Sequence, residues 1–342
     1  MRGRSSGFRN VADNSTAILG AGGWGTALAR LWSKDGRRIV LWGHNPERIE
    51  RLRASRENTA YLPGFKLPDT VEVTCSRERC GECSLVVFVV PSVAFRTIAE
   101  PFREIIHPDA DLLSCTKGIE HGTGLRMSQI LGETFPGHRI AVLSGPNLAI
   151  EVARSLPTAT VLGCEDTNCA LRLQAALGSP RFRIYTSDEV VGIELGGALK
   201  NVFAISAGVG DGLGLGDNAK AALVTRCLAE LLRLGIRMGG NARTFYGLSG
   251  VGDLIATCFS RHSRNREVGE RLGQGDRLDQ ITSRMRTVAE GIPTTKSAFE
   301  CARRFEVDTP IIDQVHAMLY EEKAPAQALT DLLQREQKSE AT

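Results

Sequence analysis

A chain of 342 residues, 42% hydrophobic and 24% charged, is long enough for two ordinary domains and has the composition of a globular protein. Its formal net charge of +3 is small and evenly spread, which argues against a nucleic-acid partner. The longest strongly apolar run, LVVFVV at 85–90, is far too short to span a bilayer, so no membrane partner is expected.

The opening stretch MRGRSSGFRNVADNS, residues 1–15, is polar and basic without an apolar centre. It reads as a disordered tail and not as a secretory signal, with a short organellar address as the alternative. From 16 to 188 short apolar runs alternate with helical patterns. The strand candidates are TAILG (16–20), RIVLW (38–42), LVVFVV (85–90), DLLSCT (111–116), IAVLSG (140–145), ATVLG (159–163) and FRIYT (182–186). Such runs, separated by helices, predict a doubly wound, mainly parallel α/β sheet covered on both faces. From 189 to 336 the β-type runs vanish. Helical patterns at 188–206, 218–234, 264–273, 295–305, 311–320 and 325–335 predict an all-α C-terminal domain, with 337–342 as a tail. The nine cysteines are scattered. Cys80 and Cys83 form a lone CGEC pair with no second CxxC at zinc-ribbon spacing, so no metal site is expected. Cys115, Cys227 and Cys258 lie in apolar context and read as buried free thiols in a reducing cytoplasm.

Within TAILGAGGWGTALARLWSKDG, Gly20, Gly22 and Gly25 form GxGxxG after a strand and at the start of a helix. The glycine spacing alone is weak, but strand, glycines, helix and second strand within about thirty residues make a specific, Rossmann-type dinucleotide fingerprint. Gly20 permits the tight turn, Gly22 lets the backbone approach a pyrophosphate, and Gly25 lets helix and strand pack closely. The free N–H groups of the helix start hold the negative charge. The second strand ends LWGHNPERIERL, with no carboxylate at Trp42, Gly43, His44 or Asn45 to take the ribose 2′-hydroxyl of NAD. His44 and Arg48 are placed to face a 2′-phosphate instead, so NADP, or dual use of NADP and NAD, is expected. The alternative makes His44 a plain loop residue before a helix capped by Asn45, with Pro46 in its first turn.

Five further stretches carry chemistry. VVPSVAF puts Pro91 and Ser92 at the end of one strand, and SCTKGIE puts Lys117 after the next, at a turn made by Gly118. VLSGPNLAIEVA places Ser144, Gly145, Pro146 and Asn147 between a strand and a helix starting near Asn147, presenting backbone donors. IELGGALKNV sets Lys200 and Asn201 in a helix that is apolar almost all round, beside Gly196 and Gly197. Burial disfavours an ammonium, and two glycines inside a helix cost roughly 1 kcal/mol each relative to alanine. GLSGVGDLIATCFSRHSRNREVGERL adds Asp253 in a glycine-rich bend, then a helix start at Ser263-Arg264-Asn265-Arg266. There a capping serine, exposed N–H groups and two arginines predict an anion site, the alternative being a solvated basic helix start.

Taken together, GAGGWGTALA, LWGHNPE, VVPS, TKGIE, SGPNLAIEVA, GIELGGALKNV, GDGLGLGDNAKAAL, GVGDLIATC, SRNRE and VAEG resemble the bacterial-type NAD(P)-dependent glycerol-3-phosphate dehydrogenases, in that family's order from residue 16 to about 330. Two departures are small. Gly23 stands where the family often has serine, which removes one side-chain contact to the pyrophosphate. Asn147 stands where it often has threonine or serine, leaving the neighbouring donors intact.

The resemblance implies reversible reduction of dihydroxyacetone phosphate to sn-glycerol 3-phosphate by NADH or NADPH, feeding glycerophospholipid synthesis. It implies a small-molecule phosphate substrate and a cytoplasmic homodimer. By the same resemblance Gly20, Gly22, Gly23, Trp24, Gly25, His44, Lys117, Ala149, Arg264, Val288 and Glu290 hold the cofactor. Lys117, Gly145, Asn147, Lys200, Asp253, Ser263, Arg264 and Asn265 hold the substrate, and Lys200 is the catalytic residue. A helical lysine points back over the preceding turn, here Gly196-Gly197, which leaves room for substrate. Its ammonium suits a general acid in reduction and, deprotonated, a base in oxidation, and its charge stabilises the developing alkoxide. Asp253 is expected on the substrate or on Lys200, and Thr257 either in the site wall or in packing. Dehydrogenases of 3-hydroxy acids or ketopantoate share the layout, but a carboxylate substrate does not require the SRNR helix start. A non-catalytic NADP-binding sensor would have lost the lysine or the phosphate site, and neither is lost.

Overall fold

The computed structural model describes residues 12–33, 36–285, 288–336 and 339. They form two compact units. One holds the chain up to Thr116 together with Met127–Val190; the other holds Lys117–Arg126 and the chain from Val191 onward.

The first unit is built on an eight-stranded sheet: β1 (Ala12–Leu19), β2 (Arg38–Trp42), β3 (Val71–Thr74), β4 (Cys83–Phe88), β5 (Asp111–Ser114), β6 (Ile140–Ser144), β7 (Thr158–Cys164) and β8 (Phe182–Ser187). Their order is β3-β2-β1-β4-β5-β6-β7-β8. Every neighbouring pair is parallel except β6 with β7. Ala17, Ile18 and Leu19 in β1, and Val86, Val87 and Phe88 in β4, are fully buried. Both faces of these strands are covered, which is why the sequence shows unbroken apolar runs and not alternation. This is the mainly parallel, Rossmann-type architecture that the motif order predicts. The strand order reverses at β1, and ligands of such sheets bind beyond the carboxyl ends at that point.

Three details differ from expectation. β1 begins at Ala12, so Ala12–Ser15 are strand and not tail, while residues 1–11 lie outside the described residues. β3 is an additional edge strand whose Glu72 is held by Arg79 at 2.7 Å and Arg38 at 3.4 Å. A four-residue strand with a paired charge in its middle leaves no apolar run to read. The helix expected near Asn147 spans only Ala149–Ala153.

The second unit is helical, with helices at Val190–Gly212, Gly216–Arg237, Asp253–Phe259, Arg264–Gly273, Leu278–Arg284, Gly291–Arg304, Pro310–Tyr320 and Pro325–Leu333. Asp253–Phe259 and Leu278–Arg284 go beyond the expected set, and at seven residues each they are too short to establish a helical period. Of the expected tail at 337–342, only Ser339 is among the described residues. Val190–Gly212 has the length and apolarity to cross a membrane, yet it is buried inside the unit, as a helix apolar on all sides must be. It meets Arg264–Gly273 at backbone contact. A Cβ on Gly208 would stand 2.0 Å from the Arg266 carbonyl oxygen, and one on Gly269 would stand 1.9 Å from that of Ile205. Gly212 and Gly273, one turn further along each helix, continue the seam.

Candidate active site

β1 ends at Leu19 and the chain turns into helix Gly23–Trp32. Gly20 has φ +126°, where L side chains are strained, and a Cβ there would lie 2.2 Å from the Val89 carbonyl oxygen. A Cβ on Gly25 would lie 1.9 Å from the Gly20 carbonyl oxygen, so the helix rests directly on the turn. Gly22 behaves differently: its φ of −83° suits any residue, and nothing lies within 4 Å of its Cβ position. It is the N-cap of the helix, with no side-chain cap and no acid in the first turn. The orphan N–H groups and the positive helix end therefore open onto free space, a cradle that fits a pyrophosphate. A Cβ on Gly23 would lie 2.9 Å from the Tyr61 carbonyl oxygen, so glycine here accommodates a neighbouring loop. Trp24 packs beside Ala27, Leu62 and Ala153. Asn58, which no motif marks, donates to the Ala21 carbonyl (3.0 Å) and to Thr26 Oγ1 (2.7 Å) and ties the glycine turn down.

His44 is exposed just beyond β2. Asn45 caps the next helix by accepting from Arg48 N at 2.9 Å, with Pro46 in the first turn, while the Arg48 guanidinium donates to the Tyr61 hydroxyl. A Cβ on Gly43 would stand 2.6 Å from Ile49 Cδ1, so a side chain there requires Ile49 to move. After β6, Gly145 has φ +147° and lies against Thr160. Asn147 Nδ2 donates to Thr160 Oγ1 at 2.9 Å. Its Oδ1 is buried with no hydrogen-bond partner among the described residues, an acceptor that fits a ligand donor. Ala149 opens the short helix that follows.

In the helical unit three candidates meet. Lys200 Nζ donates to Asp253 Oδ1 and to Thr257 Oγ1, each at 2.6 Å, and Lys117 Nζ donates to Asp253 Oδ2 at 2.6 Å. One carboxylate, buried to 1% exposure, thus sits between two ammonium groups with an oxygen for each. Burial pulls the Lys200 ammonium down from 10.5 to about 8; the Asp253 carboxylate opposes that shift and the Lys117 charge adds to it. Thr257 also donates to Asp253 Oδ1 at 3.2 Å, so it belongs to the cluster. Asp253 follows a single π-helical turn, Leu248–Gly252, and that turn docks on the helix carrying Lys200. A Cβ on Gly196 would stand 2.6 Å from the Ser249 carbonyl oxygen. Gly196 therefore serves this close approach, and at Gly196 itself the room expected over the Gly196-Gly197 turn is taken by backbone.

At the expected anion site, Ser263 caps helix Arg264–Gly273 by accepting from Arg266 N at 3.2 Å. The two arginines do not converge. Arg264 is exposed and donates to the Val288 carbonyl oxygen at 2.9 Å, whereas Arg266 turns away to Asp211 (2.7 Å) and Glu270 (3.1 Å). Asn265 Nδ2 donates to Asn201 Oδ1 and its Oδ1 accepts from Gly291 N, both at 2.8 Å. Asn201, next to Lys200, is thereby drawn into the site, and its only sequence signal was that adjacency. Glu290 caps the helix that begins at Gly291. Cys80 and Cys83 are buried thiols in the other unit, and no cluster of three metal-ligating side chains occurs among the described residues.

A glycine cradle on a Rossmann-type sheet in one unit, and in the helical unit a buried lysine whose ammonium is pulled down to about 8, are the features of a nicotinamide-dependent dehydrogenase. Residues 15–170 match the pattern of the NAD-dependent glycerol-3-phosphate dehydrogenase N-terminus, and residues 189–330 that of its C-terminus. The chain is 46% identical over 327 residues to the glycerol-3-phosphate dehydrogenase (NAD(P)+) of Syntrophotalea carbinolica, covering 94% of this chain and 98% of that one. It is 45% identical over 330 residues to the protein of the same name from Corynebacterium glutamicum strain R, covering 95% and 99%. The crystal structure of a glycerol-3-phosphate dehydrogenase from Coxiella burnetii, 36% identical, aligns with a TM-score of 0.91 over 94% of this chain and 99% of that one. The chain belongs to the NAD-dependent glycerol-3-phosphate dehydrogenase family.

Proposed function

We infer that this chain catalyses the reversible reduction of dihydroxyacetone phosphate to sn-glycerol 3-phosphate with NADPH or NADH. The observation that supports the residue roles best is the buried Lys117–Asp253–Lys200 row. When bound, the reduced nicotinamide supplies a hydride for the carbonyl carbon. Lys200 supplies the proton. Two of its three N–H donors are taken by Asp253 and Thr257, which leaves one for a substrate oxygen. A pKa of about 8 lets the same nitrogen give a proton during reduction and accept one during oxidation close to neutral pH. Negative charge growing on the substrate oxygen is stabilised by an ammonium already fixed in place. Asp253 keeps two like charges together in a buried site, and Lys117 is the second cation at the substrate.

Ser263, the Arg264 guanidinium and Asn265, at the positive end of their helix, are the phosphate holders, and Asn147 with Gly145 completes the substrate contacts. Gly20, Gly22, Gly23, Trp24, Gly25, His44 and Ala149 hold the cofactor, joined by Lys117, Arg264, Val288 and Glu290. A homodimer in the cytoplasm, with its product passing to phospholipid backbones, completes the reading. Following nicotinamide absorbance with dihydroxyacetone phosphate, once with NADPH and once with NADH, tests it. Oxidation of either cofactor is the expected result; turnover of ketopantoate in its place would overturn the reading.

A further inference from the structure

Lys117 stands on no long element, yet its ammonium is placed on one particular oxygen of Asp253. We propose that the Arg126–Glu194 ion pair is a positioning pair for Lys117, acting through the ten-residue strap Lys117–Arg126. The inference rests on the reading of Lys117 as a substrate-facing lysine.

The strap belongs to the helical unit. Ile119 and Arg126 form an antiparallel bridge across it. Glu120 N donates to the Leu125 carbonyl at 2.9 Å, and Gly124 N to the Glu120 carbonyl at 3.0 Å. The turn closes because Gly122 and Gly124 adopt φ of +80° and +73°. Arg126 is thus joined by one backbone bridge to Ile119, two residues from Lys117. Helix Gly291–Arg304 holds the rest of the strap: Ser297 Oγ donates to the Ile119 carbonyl at 2.9 Å, and Arg304 donates to the carbonyls of Thr123 (2.8 Å) and Gly122 (3.1 Å). Ile119 itself is part of the helical core.

A further anchor is Arg126 Nη1 on Glu194 Oε2 at 2.5 Å, with side chains only 15% and 6% exposed. Unlike an exposed pair, a buried one is expensive to break, so it fixes its two ends firmly. Glu194 lies on the helix that carries Lys200. One helix thus sets both lysines against Asp253, Lys200 directly and Lys117 through the strap.

Glu194→Gln keeps the shape and removes the charge. Its kcat/KM for dihydroxyacetone phosphate should fall about tenfold, the scale expected of a small misplacement, and the pH break of Lys200 should rise above about 8, because the Lys117 charge that lowers it has moved away. Lys117→Ala should move the break in the same direction. In a Lys117→Ala background, Glu194→Gln should then cost little more. Arg304→Met, an exposed change that spares the buried pair, should give a smaller loss of the same kind and keeps the test open if Glu194→Gln folds poorly. Equal losses from Glu194→Gln with and without Lys117, or Glu194→Gln and Arg304→Met enzymes with unaltered kcat/KM and pH break, would overturn the positioning role while leaving the reading of Lys117 intact. A Lys117→Ala enzyme with normal kinetics would instead remove the substrate-facing reading, and this proposal with it.

Discussion

Lys200 is held at about 8 by burial, against an ordinary value of 10.5, and this dictates how the reaction responds to pH. With this ammonium as the proposed acid for reduction, kcat/KM for dihydroxyacetone phosphate should fall as pH rises through about 8, while oxidation of glycerol 3-phosphate should rise through the same value. Asp253 pushes the lysine upward, so Asp253→Asn should move both breaks downward. Parallel pH–rate profiles of the two directions check this, and a break in neither would remove Lys200 from proton transfer. At the proposed phosphate end Arg264 is exposed and Arg266 is committed to Asp211, so of the two arginines Arg264 is the one left for an anion. Loss of one charge-assisted contact is worth on the order of 1.5–3 kcal/mol. Arg264→Ala should therefore lower kcat/KM by about ten- to hundredfold, mainly through KM, with melting temperature unchanged. Unchanged kinetics would move the phosphate elsewhere.

The strand-to-helix turn separates two kinds of glycine. Gly25 touches the Gly20 carbonyl, and a methyl there must force the helix off the turn. Overpacking of that sort costs typically 1–3 kcal/mol. Gly22 has an ordinary φ and an empty Cβ position. Gly22→Val should thus fold with a normal melting temperature but lose affinity for NADPH and NADH, whereas Gly25→Ala should lower the melting temperature as well. Thermal denaturation beside cofactor titration distinguishes the two, and a Gly22→Val protein with full affinity would mean that the cradle does not hold the pyrophosphate. Other glycines act at the same scale. Gly208 and Gly269 bring two helices into backbone contact, and Asn265 thereby reaches Asn201.

On the proposed reading, the cofactor and proton-transfer tasks fall to separate units. The glycine cradle belongs to the sheet-bearing unit, and Lys200 with Asp253 belongs to the helical one. Lys200→Ala should therefore bind NADPH with unaltered affinity while kcat falls by roughly 10²–10⁴-fold, the usual contribution of one general acid. Lys200→Arg should not restore the rate, since a guanidinium does not release its proton near neutral pH. Fluorescence titration of NADPH alongside steady-state kinetics tests the pair of expectations. Weakened binding in Lys200→Ala would show that the lysine also holds the cofactor.

Local pattern determined much of this protein. Unbroken apolar runs gave a sheet covered on both faces, GxGxxG after a strand gave the turn and the helix start, and helical patterns without β-type runs gave the all-α second unit. These are legible because each depends on residues within one or two turns of each other. Edge strand β3 escaped, since its buried positions are interrupted by Glu72, whose partners Arg38 and Arg79 lie on other segments. The fate of Arg266 escaped for the same reason: Asp211, fifty-five residues away, draws it from the expected anion site. From the sequence, Asp253 is expected on the substrate or on Lys200, and Lys117 as a second lysine at the substrate. Only the tertiary structure put both lysines on that one carboxylate, because a hydrogen bond across 53 or 136 residues leaves no periodic trace along the chain. It also decided what Gly196 is for, since the neighbour that requires glycine there, the Ser249 carbonyl, is brought close by packing alone.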